Sequence, residues 1–111
     1  MSDFDYIKID EAYKRIRSQI LRTPLVTSEY INNFLESKIY FKLENLQSTG
    51  SFKIRGATNK ILQLSLNQKK NGVVAYSSGN HAQAVAYTSK IFRISAKIIM
   101  PENAPRIKIE N

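Results

Sequence analysis

At 111 residues the chain is one domain at most, and its 42% hydrophobic and 23% charged residues give a globular rather than a disordered composition. It has no cysteine, which excludes disulfides, thiolate metal sites and cysteine nucleophiles. The net charge of +8 raises nucleic-acid binding, but the basic residues are scattered, and no zinc-finger spacing, glycine-aromatic RNA motif or basic tail supports it.

The opening "MSDFDYIKIDEAY" is acidic and polar, unlike a signal peptide. No apolar run approaches the roughly 20 residues that a membrane span needs, so the expected location is the cytoplasm. Asp10 predicts an N-cap for a helix running to about Leu21, with Tyr13, Ile16 and Ile20 on its apolar face and Lys14, Arg15 and Arg22 opposite. Thr23-Pro24 stops it, because proline disfavours helix in the residue before it. A short second helix starts at Thr27 or Ser28 and carries Tyr30, Ile31 and Leu35. "KIYFKLE" alternates, with Ile39, Phe41 and Leu43 on one face, and predicts a strand. "NLQSTGS" is a polar loop. A helix follows from about Phe52 to Leu66, its stripe running through Ile54, Ala57, Ile61, Leu62 and Leu64. Asn71-Gly72 closes it with a pair that tolerates positive φ.

"VVAYS" is a short continuous apolar run, the pattern of a strand buried on both faces. "SGN" is a loop, "HAQAVAYTSKIF" an alanine-rich helix, "AKIIM" a second buried-type strand, and "PENAP" a turn toward a helix start at Arg106. Strand, helix and strand with about a dozen residues in the crossover predict a parallel βαβ unit, hence an α/β fold. There is no internal repeat and no low-complexity segment. Two buried-type strands with one intact crossover do not cover both faces of a sheet, and Asn111 falls barely one turn into the last predicted helix. The expectation is the first part of something larger.

Two short stretches carry chemistry. In "STGSFKIRGA", Lys53 lies at the edge of the apolar stripe and in the first turn of its helix, beside Phe52. Partial desolvation and the positive end of the helix both favour a neutral amine, the nucleophile that a Schiff base needs. The plainer reading is a lysine that snorkels from the stripe to solvent. "SSGN" follows a buried strand and opens a helix, so its free N–H groups suit a carboxylate or phosphate; the plainer reading is N-capping by Ser78 or Asn80. His81 is the single histidine, which leaves a catalytic triad or metal cluster without company and favours a structural or supporting role. No metal site is expected.

"RTPL", "KLENLQSTGSFKIRGA", "SSGNHAQAVA" and "IIMPENAPRIK" resemble, in order, consecutive motifs of the serine/threonine dehydratase and serine racemase family. These are fold-type II pyridoxal-phosphate enzymes, of the tryptophan-synthase-β type. The likeness is colinear from about Ile20 to Lys108. It implies a partial parallel-sheet βαβ architecture, with 1–71 in the larger cofactor domain and 72–111 opening the smaller one. It implies pyridoxal 5′-phosphate as cofactor and serine or threonine as substrate, without nucleic acid or membrane partners. Lys53 would carry the cofactor as a Schiff base and move the α-proton. Phe52 would pack beside the ring, and Asn80 would hydrogen-bond its phenolic oxygen. Ser77, Ser78, Asn80 and His81 would hold the substrate carboxylate. Ser78 would also be the second acid/base, a position where many threonine dehydratases carry alanine, and so leans toward racemases.

The family's glycine-rich phosphate loop and the serine or threonine that meets the pyridine nitrogen have no counterpart among these 111 residues, which include only four glycines. The expectation is therefore a dehydratase or racemase by descent, incomplete and inactive as it stands. The alternatives are a non-catalytic βαβ remnant, one piece of a split enzyme, or a basic nucleic-acid-binding module. A homo-oligomer is compatible with the complete protein.

Overall fold

The computed structural model describes residues 5–110. Helix α1 (Tyr6–Ile16) is capped by Asp5, whose Oδ1 accepts the Ile7 N–H at 2.9 Å. Asp10, expected as the cap, lies inside the helix and pairs with Lys14 at 2.6 Å. The helix also ends at Ile16 rather than near Leu21, so that Ile20 turns inward and packs on the core while Arg22 lies beyond the helix. Strand β1 (Leu25–Val26) follows Pro24, and α2 (Glu29–Phe34) is capped by Ser28 as its sequence predicts.

The alternating stretch 38–44 contributes only β2 (Phe41–Lys42), paired antiparallel with β1. Its partner cannot be longer, because Pro24 precedes β1 and the cap of α2 follows it. The flanking groups are satisfied otherwise: Asn32 Oδ1 accepts the Ile39 N–H at 2.8 Å, and Pro24 O accepts the Leu43 N–H at 3.1 Å. A 3₁₀ turn (Glu44–Leu46) leads into the polar loop.

The helix expected over 52–66 is two helices, α3 (Lys53–Leu62) and α4 (Leu66–Asn71). Ser65 divides them through a capping box: its Oγ accepts the Gln68 N–H at 3.2 Å, and Gln68 Oε1 accepts the Ser65 N–H at 2.9 Å. Gly72 ends α4 at φ +82°, and a Cβ there would meet Ser95 O at 2.7 Å. Only glycine fits that approach, through which the Val73 N–H reaches Ser95 O at 2.8 Å and starts the sheet.

Strands β3 (Val73–Tyr76) and β4 (Ala96–Ile99) pair in parallel, Val73 with Ala96 and Tyr76 with Ile99, and α5 (Asn80–Ile91) makes the crossover. Helix α6 (Arg106–Glu110) completes the described chain. Val73, Ala75 and Ile98 pack on a core of Ile54, Ala57, Ala84 and Val85. Val74 and Tyr76 on the other side of β3 are 70% and 72% exposed, so the burial expected on both faces holds on one. The helices that cover this sheet, α3 and α5, lie on the same side. One core thus draws on residues before and after position 71. Among the described residues no helix is long and apolar enough to cross a membrane.

Candidate active site

The loop before α3 reverses at Gly50, whose φ is +67° and whose N–H reaches Gln47 O at 2.7 Å. Phe52 takes the N-cap position in αR conformation, and no side chain caps α3. Ile54 then fills the core at 1% exposure, and the helical rotation of about 100° per residue turns Lys53 outward. Lys53 is exposed, not partly desolvated as its sequence position predicts. Its Nζ stands 5.1 Å from the centroid of the Phe52 ring, within cation–π range.

Phe52 and Lys53 open a groove of about 580 Å³ between α3, β3 and the first turn of α5. Lys60 lies further along it, Ala75 forms part of its floor, and His81 contributes from α5; among the described residues no carboxylate lines it. The structure therefore brings three of the expected site residues, Phe52, Lys53 and His81, to one cavity.

The other three lie where β3 turns into α5, Ser77 and Ser78 on the turn and Asn80 at the first position of the helix. The Ser77 N–H extends the sheet ladder to Ile99 O at 3.1 Å, and Ser77 Oγ accepts the Gly79 N–H at 3.2 Å. Gly79 is the N-cap of α5, and no side chain caps that helix. The capping alternative for Ser78 or Asn80 is thus not realised. Ser78 is exposed, and Asn80 Oδ1 accepts from Lys108 Nζ at 3.0 Å. The α5 N-terminus keeps its leading N–H groups uncapped next to His81, an arrangement suited to an anion.

Sequence reasoning missed Lys108 as the partner of Asn80 and, more consequentially, a polar cluster behind the first turn of α3. Arg55 forks onto Glu44, Nε to Oε2 and Nη2 to Oε1, both at 2.7 Å. Those bonds, reinforced by one from Thr23, hold the Glu44 carboxyl down at about 2 against the opposing effect of burial, and Glu44 in turn raises Arg55. Glu44 reads as an outward strand position in the alternating pattern, and its partner lies across a loop, so periodicity carries no signal for the pair.

Residues 16–111 match the model of a family described as pyridoxal-phosphate dependent enzyme. The chain belongs to this family. Its members use pyridoxal 5′-phosphate. Over 101 residues the chain is 48% identical to a serine racemase of Dictyostelium discoideum, covering 91% of this chain and 31% of the relative. It is 52% identical to a catabolic L-threonine dehydratase of Staphylococcus aureus over 101 residues, 90% of this chain and 29% of that one. The structure of maize serine racemase superimposes with a TM-score of 0.92 at 46% identity, over 96% of this chain and 32% of that chain. The chain thus spans about a third of the length of these relatives, and its α/β fold with a small parallel sheet is theirs.

The described residues fit one side of such a cofactor. Lys53 offers an exposed primary amine over an aromatic ring at the mouth of a groove that no described carboxylate lines, and the uncapped α5 turn presents N–H groups of the kind that bind an anion.

Proposed function

We propose that this chain supplies the lysine and the carboxylate-binding turn of an enzyme acting on hydroxy amino acids such as serine and threonine. The reaction is loss of the β-hydroxyl as water followed by hydrolysis to a 2-oxo acid and ammonia, or inversion at Cα. The observation that carries the reading is the placement of Lys53 Nζ above Phe52 in the groove that His81 also lines. The relatives named serine racemase and threonine dehydratase support the same substrate class.

Pyridoxal 5′-phosphate, when bound, supplies the electron sink that stabilises negative charge at Cα. Lys53 Nζ would hold it, and the same nitrogen would take and return the α-proton. Phe52 gives the ring a flat apolar neighbour. Asn80 has its Oδ1 engaged by Lys108, which leaves the Nδ2 hydrogens as donors to the cofactor's phenolic oxygen. Ser77, Ser78, Asn80 and His81, with the leading N–H groups of α5, bind and orient the substrate carboxylate. Ser78 Oγ is the second proton carrier, used for inversion.

Borohydride reduction of the cofactor-loaded enzyme followed by peptide mapping is expected to place the adduct on Lys53. Lys53→Ala is expected to abolish turnover. An adduct on Lys42 or Lys60, with Lys53 unmodified, overturns the assignment.

A further inference from the structure

We infer that Glu44 and Arg55, together with Thr23 and Gln47, form a clamp that positions Lys53, so that Arg55 and Glu44 are positioning residues for the reaction. The inference rests on the reading of Lys53 as the cofactor-bearing lysine. It starts from a local deficit: the helix that begins with Lys53 has no side-chain cap, and the loop before it turns on a left-handed glycine. Ile54 seats the inner side of its first turn in the core, but no cap holds the outer side, where Lys53 sits.

The clamp does. Arg55 lies two residues beyond Lys53 in that turn, with its N–H bonded to Phe52 O at 3.0 Å, so any tilt moves both side chains together. Its guanidinium is fixed at two points on Glu44, a planar fork that admits one orientation where a lysine ammonium would admit many. Glu44 is fixed in turn: Oε1 accepts from Thr23 Oγ1 at 2.5 Å and Oε2 from Gln47 Nε2 at 3.2 Å. Thr23 and Gln47 are 3% and 4% exposed. Gln47 also grips Leu21, accepting its N–H at 3.0 Å and donating to its carbonyl at 2.8 Å. Three chain segments, around Thr23, Glu44–Gln47 and Arg55, therefore meet at one carboxylate beside the reactive turn. Both partners are largely shielded, with side-chain exposures of 28% and 15%, which sets the pair apart from the solvated Lys14–Asp10 and Arg106–Glu110 pairs.

The test uses the cofactor-loaded holoenzyme. Arg55→Lys keeps the charge and removes the fork. Its kcat on serine or threonine is expected to fall about tenfold to a hundredfold with KM changed far less, as for a reacting group displaced by a fraction of an ångström to an ångström. The circular dichroism of the lysine-bound cofactor is expected to change, while the reduced adduct still maps to Lys53. Glu44→Gln is expected to act in the same direction. Ile94→Ala truncates a buried residue beyond α5 and is the control: it is expected to lower the melting temperature while leaving the cofactor's dichroism and kcat unchanged. If Arg55→Lys does not fold, Glu44→Gln and the near-isosteric Thr23→Val carry the same comparison. Wild-type dichroism and kcat in these variants, or losses that merely follow melting temperature as in the control, overturn the clamp alone. An adduct mapped away from Lys53 in the unmutated enzyme overturns both the clamp and the reading beneath it.

Discussion

Lys53 and Ile54 divide one turn between solvent and core. Ile54 is among the most buried side chains of the described chain, and the rotation of one residue places the amine outside. The same division recurs at the start of α5, where Ala82, Ala84 and Val85 are buried while Ser78, Asn80 and His81 remain exposed. In the proposed reaction, Ser78 is the residue on which inversion depends. It does not cap its helix and is exposed, so its hydroxyl is not committed to holding α5 in place. In the holoenzyme, Ser78→Ala is expected to reduce formation of the D-amino acid by about 10²- to 10⁴-fold, the usual cost of a lost acid or base, with ammonia release affected far less. Parallel assays of both products on one preparation decide it. An equal fall in both marks Ser78 as a carboxylate ligand alone. The sequence offers the six expected site residues as residue types in two motifs, but it does not carry the exposure of Lys53. A helical wheel assigns a residue at the edge of a stripe to neither side, and only the depth at which Ile54 seats decides it.

At the scale of elements, legibility followed the range of the interaction that sets each boundary. Ser28 and Ser65 act on N–H groups three residues away, and "SLNQ" carries a capping box in plain view, although the apolar periodicity running across it suggests one helix. The shortening of β2 was not legible, because it depends on a partner strand squeezed between Pro24 and Ser28. Gly72 and Ser65 offer a graded check on this reading. Ser65→Ala removes one cap and is expected to cost about 1 kcal/mol. Gly72→Ala must hold a Cβ at φ +82° and against Ser95 O, and is expected to cost about 2 kcal/mol or more. Thermal melting of the two variants beside the unmutated holoenzyme measures the order. Equal stabilities would mean that the β3 entrance relaxes and that the close approach of Gly72 to Ser95 is not required.

At the scale of the whole molecule the chain is more open than its mass warrants. Its accessible surface is 8691 Å², against about 6200 Å² for a compact protein of this size. Its radius of gyration is 16.9 Å, against about 13 Å. The excess has an address: Val74 and Tyr76 on the uncovered face of β3, and Tyr30 and Phe34 on α2, are all at least 70% exposed. Apolar area of that kind is normally covered, and a two-stranded sheet leaves strand edges open to pairing. The core that does form holds α3 and α5 together through small side chains and a buried Thr58–Thr88 hydrogen bond of 3.2 Å, so local order at Lys53 does not require the open face to be covered. The 111 residues taken alone are therefore expected to bind hydrophobic dyes, to melt over a broad range, and to react with pyridoxal phosphate at several exposed lysines rather than at Lys53 selectively. They are expected to release no ammonia from serine or threonine. Melting with and without cofactor, with peptide mapping of the reduced adduct, tests this directly. A sharp cooperative transition raised by the cofactor, a single adduct on Lys53 and ammonia release would show that the open face of β3 costs nothing in folding and that these residues suffice for catalysis.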